Sequence, residues 1–252
     1  MIVYLAGVET YESYYPNQTP DDAYILSSFF YHHSRKNIPD WSRSDRHILD
    51  SGAFSTFKNP NDATKMDWTK YVNLYIEFIK ETKQKLFFEI DIDAVVGLPK
   101  VEYYRNKIED AIGIPPIPVW HSSRGWDYFC QMTENYPYVA LGTTKANEQG
   151  KAIRKNPSIL DKFIKQAHKN NSKIHGLGFT NLEWLEKLKF DSVDSTTWLN
   201  GAKFGSMVRF QPTGQFEQII KPLDKKMINP RLRVGTSFNE WLKYQKWALK
   251  NL

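Results

Sequence analysis

Six short polar clusters carry side chains suited to proton transfer and nucleophilic attack: Asp50-Ser51-Gly52, Asp91-Ile92-Asp93, His121-Ser122-Ser123, Gly142-Thr143-Thr144, His175-Gly176-Leu177-Gly178 and Asp191-Ser192-Val193-Asp194-Ser195. Each closes a short apolar run. A lone aspartate after a strand commonly caps the next helix, because its carboxylate accepts from free backbone N–H groups. Several such residues together, with glycines that let a ligand approach the backbone, point instead to a binding site. Two carboxylates in one site can divide the work of glycosyl transfer: one ionised group attacks or stabilises an electron-poor centre, and the other shuttles a proton.

The runs before these clusters read as strands: Ile2–Ala6, Arg46–Leu49, Leu86–Ile92, Ile117–Trp120, Tyr138–Leu141, Lys173–Leu177 and Phe190–Val193. Between them, Tyr71, Val72, Tyr75, Ile76 and Ile79 share one face of a helix over Trp68–Thr82, and comparable helices are expected near 100–112, 124–135, 156–169, 181–188 and 238–250. Alternating strands and helices imply right-handed crossovers and a parallel sheet, and seven strand candidates favour a (β/α)8 TIM-type barrel over an open sheet. No Gly-x-Gly-x-x-Gly follows the first strand, which argues against a dinucleotide-binding unit. No linker or repeat divides residues 1–252, so one domain is expected. Positions 209–237, with Pro212, Pro222 and Pro230, read as an irregular excursion. In a barrel the strand C-termini form the active face, and the polar clusters lie there.

The 252 residues include 34 Lys and Arg against 28 Asp and Glu, a net charge of 34 − 28 = +6. Aromatic residues make up 15% and often neighbour Lys or Arg, a mixture that suits a polyanion with bases as well as an aromatic core. Cys130 stands alone, which excludes an internal disulfide and a Cys-rich zinc site but leaves a His/carboxylate metal site arithmetically open. No apolar run reaches the roughly 18 residues needed to cross a bilayer, and the first residues lack a secretion signal, so a soluble cytoplasmic protein without membrane contact is expected.

Four motifs resemble those of the tRNA-guanine transglycosylase superfamily. Ile48-Leu49-Asp50-Ser51-Gly52-Ala53-Phe54 resembles the LxDSGG(Y/F) signature, and Ala140-Leu141-Gly142 through Glu148 resembles the ALGGLAVGE segment. Ile174 to Leu182, leading into Phe190-Asp191-Ser192-Val193-Asp194-Ser195, is similar to the family's GVGTPxDL and (I/V)DxFDC pair. They occur in the family's order over residues 48–205. The resemblance implies a (β/α)8 barrel that exchanges a purine base on an intact nucleic acid by two displacements at the sugar C1′. Carried over by position, Asp194 is the nucleophile and forms a covalent glycosyl-enzyme intermediate, while Asp50 handles the proton of the outgoing or incoming base.

By the same resemblance Phe54 stacks on the base, and His175 lies where an apolar side chain covers its other face. His121 stands where the family generally has a glutamine, and either donates to the base carbonyl or is a polar rim residue. Ser51, Gly52, Gly142, Thr143 and Gly176 fall in the substrate-binding motifs. Asp91 and Asp93 should project to one side of their strand by alternation, so one of them can accept from the N1–H and 2-amino group of a guanine-like base; Asp93 matches the family's base-reading aspartate better. Lys145, Lys151, Arg154, Lys155 and Lys203 are candidates for phosphate contacts near the mouth, with affinity falling as salt rises.

Enzymes acting on tRNA carry a C-x-C-x-x-C plus His zinc site that one cysteine cannot build, and Thr143 replaces the second glycine of the family's pair. A zinc-free member resembles the phage-type 7-deazaguanine DNA transglycosylases. The expected partners are therefore DNA and a 7-deazaguanine base, with neither metal nor redox cofactor. An RNA-directed transglycosylase, a nucleoside glycosidase on the same barrel, and a non-catalytic base-binding barrel are the competing readings.

Overall fold

Buried strands come first in the architecture, because their side chains divide into two layers. The computed structural model describes residues 1–33, 45–57, 60–142, 148–179, 181–200, 206–219 and 229–252. Along the chain run β1 (Ile2–Ala6), α1 (Val8–Tyr14), β2 (Ile25–Ser28), α2 (Phe29–His32), β3 (His47–Asp50), α3 (Pro60–Ala63), α4 (Trp68–Thr82) and β4 (Leu86–Phe87). There follow α5 (Asp93–Val96), α6 (Leu98–Ile112), β5 (Val119–Trp120), α7 (Gly125–Asn135), β6 (Tyr138–Leu141), α8 (Glu148–Arg154), α9 (Pro157–Lys169) and β7 (Lys173–Gly176). The last elements are α10 (Leu182–Leu185), β8 (Ser192–Ser195), β9 (Met207–Phe210), β10 (Phe216–Ile219) and α11 (Pro230–Asn251).

Eight strands form one curled sheet in the order β4-β3-β2-β1-β8-β7-β6-β5, with every pairing parallel. The edge strands β4 and β5 do not pair as a ladder. One parallel bridge, Phe88 with Ile117, joins their flanks, and Glu89 N–H donates to Ile117 O at 3.0 Å. The fold is thus a TIM-like α/β arrangement in which the sheet curls but does not close into the expected barrel, its two edges meeting only at this bridge.

Period-two alternation sorts the core. Tyr4, Ala6, Leu26, Ile48, Phe88, Ile117, Val119 and Ala140 pack together on the concave side. Their neighbours Val3, Leu5, Ile25, Val139, Leu141, Ile174 and Val193 pack outward with the helices. Helix α4 turns Tyr71, Val72, Tyr75, Ile76 and Ile79 inward as its period predicts, and Asp67 caps it by accepting from Lys70 N–H at 2.9 Å.

Three expectations change. Strand β2 is not among the expected strands: half of its four buried residues are serines, Ser27 and Ser28, which cut the apolar run short, and it leads directly into α2. The 209–237 segment is not wholly irregular, since β9 and β10 form an antiparallel hairpin and α11 starts at Pro230, eight positions before the predicted helix near 238. Pro230 reads as a breaker, yet it occupies the first turn behind Asn229, whose side chain accepts from Arg231 N–H. The strand expected over Leu86–Ile92 is only Leu86–Phe87, and Asp93 opens α5 instead of ending a strand. Gln245 of α11 fastens the sheet by donating to Val3 O and Tyr24 O, each at 2.7 Å.

Candidate active site

Two positions beyond the concave core, at the C-terminal ends of the strands, alternation places a polar residue or glycine facing inward: Asp50 after Ile48, His121 after Val119, Gly142 after Ala140 and Asp194 after Ser192. These residues line the mouth of the sheet. Asp194 is buried on β8, where its Oδ1 accepts from Gly178 N–H at 2.6 Å and lies 3.2 Å from His175 Nε2. Gly178 has φ +59°, a conformation that costs glycine little and turns its N–H toward the carboxylate. Among the described residues no hydrogen bond reaches Asp194 Oδ2. Of the two carboxylate oxygens, only Oδ1 is thus engaged.

Asp50 ends β3, and its Oδ2 accepts from Gly52 N–H at 3.0 Å. Burial raises its pKa to about 7; the charge of Asp91 and, more weakly, those of Asp194 and Glu9 add to this, and the Gly52 hydrogen bond only partly opposes it. Gly52 has φ +68°, and a Cβ there would come within 2.4 Å of Ser28 Oγ, so the turn admits no side chain. Ser51 is a turn residue rather than a mouth residue: it is buried, its Oγ accepts from Ala53 N–H, and its carbonyl accepts from Tyr71 O–H at 2.6 Å. Phe54 is 49% exposed, with its ring edge-on to His121 at 6.1 Å.

A raised carboxyl pKa is also a stability statement. The folded chain holds the Asp50 proton more tightly than the unfolded chain, so the cost of ionising it grows between about pH 4 and pH 7 and is constant above. Asp50→Asn keeps the acceptor for Gly52 and removes the charge. It should stabilise the fold at pH 8 by an amount on the order of 3 kcal/mol and leave it nearly unchanged at pH 4. Urea unfolding at the two pH values checks this; equal midpoints for variant and parent at pH 8 would mean an ordinary carboxylate.

Asp91 and Asp93 do not share a face. Asp91 reaches the mouth, with Oδ2 at 2.8 Å from His121 Nε2, while His121 Nδ1 lies 3.1 Å from Gly142 O. Burial works against a charge on His121, but the hydrogen bond and charge of Asp91 outweigh it and raise its pKa; a carboxylate and a carbonyl both accept, so each ring nitrogen faces an acceptor here. Gly142 makes room for this ring, since a Cβ would come within 2.6 Å of His121 Cε1. Asp93 is taken up elsewhere: Oδ1 accepts from Arg124 at 2.8 Å and Oδ2 from Ser123 at 3.0 Å. Burial alone would raise the Asp93 carboxyl, yet Arg124 holds it below the ordinary range.

Sequence reasoning missed the groups behind this pairing. Glu89, fully buried, accepts from Arg105 and Arg124 at 2.7 Å each and from Val119 N–H at 2.8 Å. Glu9 of α1, also buried, accepts from Ser28 N–H at 2.5 Å and stands 3.7 Å from His32 Nε2. A glutamate inside a strand-helix pattern reads as surface, so only the burial of these two reveals them.

Two expectations from the resemblance are corrected. His175 covers no base, because it is 0% exposed inside the sheet beneath Asp194. Gly176 faces outward, where a Cβ would meet Phe179, Phe190 and Val193 between 3.2 and 3.3 Å. Of the proposed phosphate contacts, Lys155 is exposed just after α8 and Lys151 is half-buried within that helix. Arg154 binds the chain after β7 by donating to Leu177 O and Gly178 O, near Asp194. Thr143, Lys145 and Lys203 lie outside the described residues. Among the described residues, no three His, Cys, Asp or Glu side chains converge on a metal position, and no helix is long and apolar enough to cross a membrane.

No protein-family model, curated protein or solved structure matches the chain.

Proposed function

We propose that the chain is a base-exchange enzyme that replaces guanine in DNA with a 7-deazaguanine, by double displacement at the mouth of the curled sheet. The observation that carries the reading is the unequal treatment of two carboxylates at one mouth. Asp194 has one oxygen engaged by donors and the other open, whereas Asp50 is held near pKa 7, where it can give and take a proton. In the first displacement Asp194 Oδ2 attacks C1′, the C1′–N9 bond breaks, and the departing guanine takes a proton from Asp50. In the second, N9 of the incoming base attacks C1′, the C1′–Oδ2 bond breaks, and Asp50 recovers the proton. No metal or redox cofactor enters either step.

Base reading passes to Asp91 in this scheme. Its Oδ1 is not taken by His121 and can accept from N1–H or the 2-amino group, with Phe54 offering a half-exposed face for stacking. His121 spends both nitrogens on Asp91 and Gly142, so its part is to orient Asp91. Asp91→Ala should therefore relax discrimination between guanine-type bases and adenine by on the order of 2–4 kcal/mol, while Asp93→Ala should leave base choice intact and weaken the fold through Arg124. Competition between the two bases in the exchange reaction measures it; altered selection in Asp93→Ala alone would reverse the assignment.

DNA is preferred to tRNA because the lone cysteine cannot build the zinc site of the tRNA-acting enzymes that the motifs resemble. The direct test incubates the chain with DNA and with tRNA in parallel, each with radiolabelled 7-deazaguanine bases. Label entering DNA supports the reading, label entering only tRNA moves the substrate to RNA, and no label in either polymer rejects base exchange.

A further inference from the structure

Beneath Asp194 lies a buried chain of polar groups that the two displacements do not themselves use. His175 is enclosed by the rings of Tyr4, Phe88 and Tyr138 at centroid distances of 5.9, 5.3 and 6.5 Å. Its Nε2 faces Asp194 Oδ1 at 3.2 Å, its Nδ1 faces Ser192 Oγ at 2.6 Å, and Ser192 Oγ meets Tyr138 OH at 2.5 Å. An ionised carboxylate only accepts, so Nε2 bears the proton; Nδ1 then accepts from the Ser192 hydroxyl, and Ser192 accepts from Tyr138. Burial keeps the Tyr138 phenol protonated well above its ordinary range, with Asp191 and Asp194 adding to the effect and the Ser192 hydrogen bond only partly offsetting it. Every hydrogen in the chain therefore points toward Asp194.

We propose that His175, locked in its Nε2–H tautomer by Ser192 and Tyr138, is a positioning residue that binds Asp194 Oδ1 together with Gly178 N–H, leaves Oδ2 to attack, and makes the carboxylate a good leaving group in the second displacement. This rests on the base-exchange reading above. When Oδ2 bonds to C1′, Oδ1 becomes the ester carbonyl and retains both donors. When the C1′–Oδ2 bond breaks, its electron pair returns to the carboxylate, and the same two N–H groups stabilise the returning charge. Loss of a donor makes Asp194 more basic, hence a better nucleophile and a poorer leaving group. The relay thus acts chiefly on breakdown of the intermediate.

The test follows adduct formation and adduct breakdown separately, in single-turnover reactions quenched with denaturant, for the parent chain, His175→Phe, His175→Gln and Ser192→Ala. His175→Phe fills the enclosed space without a donor. It should form the adduct within about 3-fold of the parent rate but break it down roughly 30-fold more slowly, so that adduct accumulates. His175→Gln can still donate to Oδ1 and should recover most of the breakdown rate; Ser192→Ala should fall between the two. Equal loss of both rates in His175→Phe, or unchanged rates, would overturn the proposal. Should the phenylalanine variant fail to fold, the glutamine and alanine variants and the nitrogen chemical shifts of His175 decide: an Nδ1–H tautomer overturns it. A parent chain that exchanges base without any trappable adduct overturns the role of the relay, whereas a parent chain that exchanges no base overturns the function itself.

Discussion

Asp194→Asn is expected to lose base exchange by roughly three to five orders of magnitude, with a folded chain. Asparagine is isosteric and keeps a carbonyl oxygen for His175 Nε2–H and Gly178 N–H, so the buried donors stay satisfied. What disappears is the anionic oxygen facing the mouth. An amide cannot form the glycosyl ester, and no other carboxylate substitutes for it: Asp91 is tied to His121, and Asp50 holds its proton near neutral pH. Incorporation of labelled 7-deazaguanine, alongside a denaturant-stable adduct on the parent chain, gives the readout. Near-parental exchange by Asp194→Asn would remove Asp194 from the reaction.

Glu89→Ala carries the largest expected cost in stability, about 3–5 kcal/mol. Glu89 lies between the two edge strands, where β4 and β5 share only one bridge. Its carboxylate accepts from Val119 N–H across that gap and pairs with both Arg105 and Arg124, the second of which also pairs with Asp93. Removing it leaves the buried Arg105 guanidinium without its carboxylate, Arg124 with Asp93 alone, and one strand N–H without its acceptor. Burial would raise the Glu89 carboxyl, but the two arginines lower it below the ordinary range. Its stabilisation is therefore present at neutral pH and lost as the pH falls through that lowered value. Denaturant unfolding of parent and variant at pH 7 measures the cost; a difference under about 1 kcal/mol would show that the pair contributes little beyond its own desolvation.

Much of the positioning was legible in the chain itself. Short apolar runs at β1, β3 and β6, and the helical period of Tyr71, Val72, Tyr75, Ile76 and Ile79, depend on local geometry, so they predict the elements, and the periods of strand and helix sort the faces they bury. The same rule sets Asp50, His121, Gly142 and Asp194 inward at the strand ends, since each lies two positions beyond a concave core residue or its polar equivalent. Strand β2, half of it serine, left no such run.

Only the tertiary structure decided which aspartate serves the mouth. Asp91 and Asp93 are two residues apart, and their separation depends on the strand ending at Phe87 and on partners about thirty positions away: His121 for one, Arg124 for the other. It likewise put His175 under Asp194 instead of over a base, and drew Glu9 and Glu89 into the interior. A local period determines the side of an element on which a residue lies. Whether a charge there meets solvent, substrate or a buried counter-charge depends on how distant segments pack, and the desolvation cost of leaving it unpaired selects the pairing.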